Sequence, residues 1–289
     1  MKLNTSALTA VTKRQYWHKD AKWICAILLV IFIGISLPFV SLYRLTAKAP
    51  ATKALSYTLA GLTSPDGIDS TSGIDDLRQK AAATGSTQVY IGGVPVTFTT
   101  QDFSSLSPRE LRLKVFGSFA SEFYNKGAAG LVKSQGLNDD AAQQFQKNSS
   151  TIALFTRSAH QHLGKIVSAL TAIDLMLLAA VVMFSYRFGR LASPGLALMI
   201  ASFLALPLAA LAASHQTVTG TARPESATSN VSAVGNFISF VAPLVLPYFS
   251  GTYMFTFLSG VLLLAAAGVG LFIYKLTHKS QPKPPETKA

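Results

Sequence analysis

The chain has a single cysteine, Cys25. An internal disulfide and a cysteine metal cluster are therefore both excluded. It has no H-E-x-x-H, no G-x-S-x-G and no Walker A sequence, which leaves out the zinc-protease, serine-hydrolase and P-loop chemistries that those spacings serve. No cofactor is expected. Charge is also scarce, at 13% of 289 residues against 49% hydrophobic. With one thiol in the first apolar run, any segment outside a membrane must be held by packing rather than by staples. Cys25 reads as an inert buried thiol, with palmitoylation as the alternative.

Long apolar runs, by contrast, are abundant. Residues 23–43, 165–187, 194–213 and 252–274 each supply about the 20 residues that cross a ~30 Å hydrocarbon core at ~1.5 Å per residue. A helix in a water-soluble core rarely stays apolar all round for that length. The expected fold class is an α-helical polytopic membrane protein. Four transmembrane helices carry a small extracytoplasmic α+β domain, helices plus one β-hairpin, between spans one and two. Ala47-Lys48-Ala49 offers a small-x-small cleavage site after the first run. That run exceeds the ~7–15 residues of a signal peptide's apolar region, and Pro50 follows the site, so an uncleaved signal anchor is expected.

Basic residues orient the spans. Lys2, Lys13, Arg14, Lys19 and Lys22 precede span one, Arg187 and Arg190 flank the link between spans two and three, and Lys275, Lys279, Lys283 and Lys288 follow span four. The outer connection 214–251 carries only Arg223. Residues 1–22, 188–193 and 275–289 are thereby assigned to the cytoplasm, and 44–164 and 214–251 to the outer face of a plasma membrane. These flanks hold eleven of the 25 basic residues and account for much of the net charge of +12. No basic cluster remains to suggest nucleic acid; the expected partners are the bilayer and another protein. The tail 275–289, rich in Pro and Lys, is disordered by composition. No cytoplasmic piece is long enough for a folded domain, which excludes a kinase, cyclase or ATP-driven motor within this chain.

The insert 44–164 is long enough for one compact domain. A helix is expected after Pro50 with Leu55, Leu59 and Leu62 on one face, then a linker over 66–73. A short helix follows, capped by Ser72, with Ile74, Leu77 and Ala81 inward. The β-rich runs of Thr87–Thr99 flank Gly92-Gly93, as in a two-residue hairpin, and Pro95 marks an edge strand. Ser107-Pro108-Arg109-Glu110 is a helix start with a capping box and Pro in the first turn. This helix should end at Gly127. Another helix is expected from Asn138 to Asn148, and a continuous one from Ser150 into span two, weakened at Gly164. Residues 236–249, apolar but interrupted by Pro243 and Pro247, are too short for a span. They are expected as an interfacial or re-entrant segment or a packed loop, with a fifth span as a third possibility.

Asp174 is the one charged residue deep in a span, roughly 13 Å from Lys165 by the helical rise. An intramembrane acid is costly, so it marks either a proton or cation site or a hydrogen-bonded lock between helices. Thr171, Ser202 and Ser259 are candidate partners at similar depth. His160, His162 and His215 are candidate metal ligands. Residues at i, i+2 point ~200° apart on a helix, unlike the i, i+4 pair of a helical metal site, so interfacial histidines are the default reading. Ala197, Ala201, Ala205, Ala209 and Ala213 form a small-residue seam on span three, matched by Ala266 and Gly270 on span four. Pro38 and Pro207 should kink their spans. The function expected is that of a non-catalytic integral membrane protein of the cell envelope whose external domain binds or positions a partner. The alternatives are a small transporter or channel subunit using Asp174, and a membrane-embedded enzyme at the outer interface.

Overall fold

The computed structural model describes residues 5–62, 68–71, 73–91, 94–135, 150–186, 188–218 and 231–278. It is mostly helical. In chain order it comprises α1 (Thr5–Leu45), α2 (Lys48–Leu62), α3 (Ile74–Thr84), β1 (Ser86–Ile91), β2 (Val94–Thr99), α4 (Thr100–Ser105) and α5 (Pro108–Gln135). A 3₁₀ turn (Ser150–Phe155) leads to α6 (Arg157–Phe184), α7 (Gly189–Ala201), α8 (Ala205–Val218) and α9 (Val231–His278). The chain divides into two compact units.

The first unit comprises residues 1–38, 167–207 and 251–289. Three helical stretches, Asp20–Leu45, Arg157–Phe184 and Ala242–Thr277, are long and apolar enough to cross a membrane. A fourth crossing is available if α7 and Ala205–Leu211, bent by 40° at a break, count as one span. The apolar faces are turned outward as a lipid solvent would require. On α1, Ile24, Ile27, Ile31 and Ile35 are exposed while Leu29, Ile33 and Leu37 are buried on the opposite side. Phe255 and Leu262 of α9 are likewise exposed.

Three expectations about these helices change. Span three is two helices rather than one kinked helix. The chain leaves the helix after Ala201 and resumes at Ala205. Pro207 lacks the N–H that would bond the carbonyl of residue 203, and its ring crowds that carbonyl, so the break falls just upstream of the proline. The seam ends there too. Ala197, Ala201 and Ala205 are buried, Ala209 is half-buried and Ala213 is exposed. On α9, Ala266 is exposed and Ala267 is buried, so the expected seam is off by one position. Finally, 236–249 is no separate segment but part of α9, which runs 48 residues through Pro243 and Pro247.

One close helix approach is not revealed by alanine spacing. A Cβ placed on Gly260 would stand 2.8 Å from the Gly195 carbonyl oxygen and 2.9 Å from the Met199 nitrogen. One on Gly195 would stand 2.9 Å from the Gly260 oxygen. The two glycines let the α7 and α9 backbones meet directly. At Gly270 the neighbour is the Phe188 ring, 2.7 Å from an added Cβ, and that ring also lies edge-on to Tyr274 at 5.9 Å.

The second unit, residues 39–166 and 208–250, contains the small domain. Here α2 packs along α5, with the hairpin against α3 and α5. One core gathers Ile74, Ala81, Val96, Phe98, Phe103, Leu111 and Phe116. A second joins Leu55, Phe119, Ala120, Phe123 and Leu131, with Ile152 and Phe155 packed against it. The strands are antiparallel in the register Val89↔Val96 and Ile91↔Val94, which leaves two residues for the turn. Gly92 and Gly93 lie outside the described residues, as do Ser72 and the helix expected over 138–148. The cap of α3 is Gly73 at φ 76°, with no side-chain cap bond. α5 starts as its sequence predicts: the Ser107 N–H donates to Glu110 Oε2 at 2.8 Å, and the Glu110 N–H to Ser107 Oγ at 3.3 Å. At Gly127 (φ 66°) the backbone leaves the helix and then resumes it to Gln135. Ser150 does not begin a continuous helix. The 3₁₀ turn stops at Phe155, and the Thr156 hydroxyl accepts the Ala159 N–H at 3.3 Å, starting α6 afresh.

A second capping box, Thr99 with Asp102, starts α4. The Lys114 ammonium, 2.6 Å from Asp102 Oδ1, and the Thr99 N–H hold the Asp102 carboxyl down at about 2 from an ordinary 3.8. A folded-state value below the unfolded one stabilises the fold above the unfolded value, and that contribution is lost as pH falls through the folded value. The small domain is thus expected to lose stability between pH ~4 and ~2, with Asp102→Asn removing part of that acid sensitivity. Thermal melts of the two proteins across that window check it; parallel melting curves refute it.

Candidate functional site

Asp174 sits half-buried on α6. The Ser36 hydroxyl of α1 donates to its Oδ2 at 2.6 Å. Its Oδ1 is buried with no hydrogen-bond partner among the described residues. The expected partners lie elsewhere. Ser202 donates to its own helix at the Leu198 carbonyl (2.6 Å), Ser259 to the Phe255 carbonyl (2.8 Å), and Thr171 is exposed. Hydroxyls in apolar helices commonly satisfy themselves this way. Ser36 is not found by counting depth from one end of each span. It lies thirteen residues from the start of span one, roughly 20 Å, and Asp174 roughly 13 Å from the opposite end of span two. The two depths together match a core of ~30 Å.

The histidines do not converge. Among the described residues no group of three or more His, Cys, Asp or Glu side chains is placed to hold a metal. His162 is exposed, and the His215 side chain lies outside the described part. His160 is occupied within a structural cluster. Its ring stacks on Tyr43, with centroids 4.3 Å apart and planes 9° from parallel. Its Nδ1 lies 3.0 Å from the fully buried Thr46 Oγ1, which also donates to the Tyr43 carbonyl at 3.1 Å. One hydroxyl proton cannot serve both partners. With it on the Tyr43 carbonyl, Nδ1 carries a hydrogen and donates to Thr46. Gly164, expected as a weak point, is a close-approach site: an added Cβ would stand 3.2 Å from the Tyr43 ring.

The small domain holds the third feature, a cavity of about 230 Å³ lined by Leu77, Val89, Phe98, Leu111, Val115 and Arg112 among others. The helix α5 places Leu111, Arg112 and Val115 on one wall, and the inward faces of β1 and β2 place Val89 and Phe98 on another. The chain at 69–70 is tied to α5 by two arginines. Arg109 Nη2 donates to Asp69 Oδ2 at 2.8 Å, and Arg112 Nη2 to the Ser70 carbonyl at 3.0 Å. From sequence, the aromatic face of α5 allows either a ligand groove or core packing against the hairpin, with packing the default, because a void left between inward residues has no signature in their spacing. Compared with known proteins, the chain matches no family model, no curated protein and no solved structure.

Proposed function

We propose that this chain is a non-catalytic integral membrane protein of the cell envelope. Four transmembrane helices anchor a small extracytoplasmic domain, which binds or positions a partner. The observation that carries the reading is the division of labour between the two units. The spanning helices turn apolar side chains outward. The small domain, between the first two spans, has cores of its own and a polar, ion-paired exterior. Termini lie in the cytoplasm and 44–164 outside, by the distribution of lysine and arginine.

Asp174 favours the same reading over an ion pathway. A pathway needs several polar groups in series, whereas the structure gives Asp174 one hydrogen bond, to Ser36. An asparagine would keep the carbonyl oxygen that accepts it. Asp174→Asn is therefore expected to leave membrane insertion and assembly close to wild type, and wild-type proteoliposomes should show no ion flux above empty vesicles. A proton or cation flux that Asp174→Asn abolishes would move the protein to the transporter class.

Orientation is tested separately. In a Cys25→Ser background, cysteines introduced at Ser86 and Ser280 should react with an impermeant maleimide from opposite sides of intact cells. Labelling of both from one side would overturn the topology. A photo-crosslinker at Tyr90, exposed on the hairpin, should capture a discrete protein in native membranes. Adducts to lipid alone would refute the partner.

A further inference from the structure

We propose that β1 of the small domain is a docking edge, to which an extended segment of a partner protein adds as a third strand. One apolar side chain of that segment enters the half-open cleft beside β1. The inference rests on the partner-binding reading above and names how the partner is held: by its backbone, along the free side of β1.

Three observations carry it. The first is the direction of the hydrogen bonds. The Thr100 N–H donates to the Gly85 carbonyl at 3.4 Å. Bonded pairs of an antiparallel ladder recur at every second residue, so Thr87↔Phe98, Val89↔Val96 and Ile91↔Val94 are the pairs that bond to each other. Gln88 and Tyr90 then turn their backbone N–H and C=O groups away from β2. Both residues are exposed, and among the described residues nothing bonds to those groups. The second is that the two edges differ. On β2 the outward positions are Pro95, Thr97 and Thr99. Pro95 has no N–H, and the Thr99 N–H is taken by Asp102 Oδ2 at 2.8 Å, which leaves one donor, at Thr97. Proteins blunt sheet edges with proline and charge. β1 has neither: its outward side chains are Ser86, Gln88 and Tyr90, and Tyr90 is 67% exposed. An open row of alternating donors and acceptors complements the backbone of another strand. The third is the cleft. Its volume of about 230 Å³ exceeds the ~150 Å³ that holds a benzene ring, so it takes one side chain of leucine or phenylalanine size. Val89 of β1 and Leu77 of α3 line it and are half-buried, whereas Phe98 and Leu111 are buried, so it opens on the β1 side. A side chain on the inward face of an added strand is directed to that opening. A second copy of β1 fits less well. Its inward Val89 already lines its own cleft, so a pair of copies would leave both clefts unfilled.

The test uses the full-length protein in nanodiscs of neutral lipid, with Leu and Val methyls isotopically labelled for NMR. The probe is a synthetic peptide of alternating threonine and leucine, closed by glutamates for solubility. Saturable shifts are expected at the methyls of Val89 and Leu77. Methyls of Leu55 and Leu131, in the other core, stay in place and report folding. Replacing the leucines by alanine should weaken binding roughly tenfold or more, as the loss of a buried leucine does. N-methylation of alternate residues removes the donors on one side of the peptide only. One of the two N-methylated peptides should therefore bind like the parent and the other roughly tenfold more weakly. Loss on methylating the threonines marks antiparallel addition, and loss on methylating the leucines marks parallel addition. Gln88→Pro copies onto β1 the proline that β2 carries at Pro95 and should abolish binding. If that variant shifts the Leu55 and Leu131 signals, the N-methylated pair decides alone. Thr97→Pro, on the blocked edge, should leave binding unchanged. The proposal falls if the Val89 methyls show no saturable shift, if both N-methylated peptides bind alike, or if a folded Gln88→Pro protein binds as wild type does. A protein captured at Tyr90 in native membranes, without any peptide binding, sinks strand addition alone and keeps the partner. In a Cys25→Ser background, disulfide dimerisation of Gln88→Cys in native membranes would seat a second copy on the edge and overturn the proposal.

Discussion

Replacing Gly260 by alanine is expected to destabilise the helical unit by about 2–3 kcal/mol, the upper part of the usual range for overpacking. The new methyl would meet the Gly195 carbonyl oxygen at 2.8 Å and the Met199 nitrogen at 2.9 Å. Both are backbone atoms, so no flexible side chain can swing away to make room. Gly260→Leu should prevent α7 and α9 from docking at all. Gly268 supplies the control, since nothing lies within 4 Å of its added Cβ. There alanine should be neutral or stabilising by up to ~1 kcal/mol through helix propensity. Denaturation of the purified protein in detergent or nanodiscs, alongside size-exclusion profiles, measures both. Equal effects at 260 and 268 would mean that the two helices do not meet through their glycines.

The second large effect is expected at Phe123. Its side chain is fully buried in the core formed with Leu55, Phe119, Ala120 and Leu131, and it stacks on Phe119 at 6.2 Å. Phe123→Ala should cost about 3–5 kcal/mol, the usual range for an aromatic truncated in a core. A small domain typically has only ~5–15 kcal/mol in all. Limited proteolysis of the full-length protein should then open the segment 44–164 and spare the long apolar helices. Phe123→Leu, which fills much of the void, should lose far less. A small domain that resists protease as well as wild type would show that this core is not what holds it together.

The parts of the fold that were legible in the sequence share one property: their cause is local. The α5 capping box needs only Ser107 and Glu110 three residues apart, and the hairpin needs a two-residue link with valines placed to share a face. Leu55, Ile74 and Ala81 turned inward as their periodicity required. What escaped depends on residues far apart in the chain. A glycine at 195 gains meaning only when Gly260 arrives opposite it. Ser36 gains meaning only opposite Asp174. The choice of Ala266 over Ala267 turns on the rotation of α9 about its own axis, which neighbouring helices set and an alanine count does not record. The break before Pro207 was legible as a perturbation. The break itself falls before the proline, between Ala201 and Ala205, because proline acts on the turn that precedes it.

The Gly195–Gly260 contact also imposes a schedule. Gly260 follows Gly195 by 65 residues, so at ~5–20 residues per second of synthesis the groove on α7 waits roughly 3–13 seconds before its complement exists. During that interval the bare glycine surface is open to lipid, to an insertion chaperone or to a wrong helix. The Phe188 ring meets Gly270 and Tyr274 on the same late helix. The spacing of two glycines thus sets how long the α7 surface stays without its partner during synthesis.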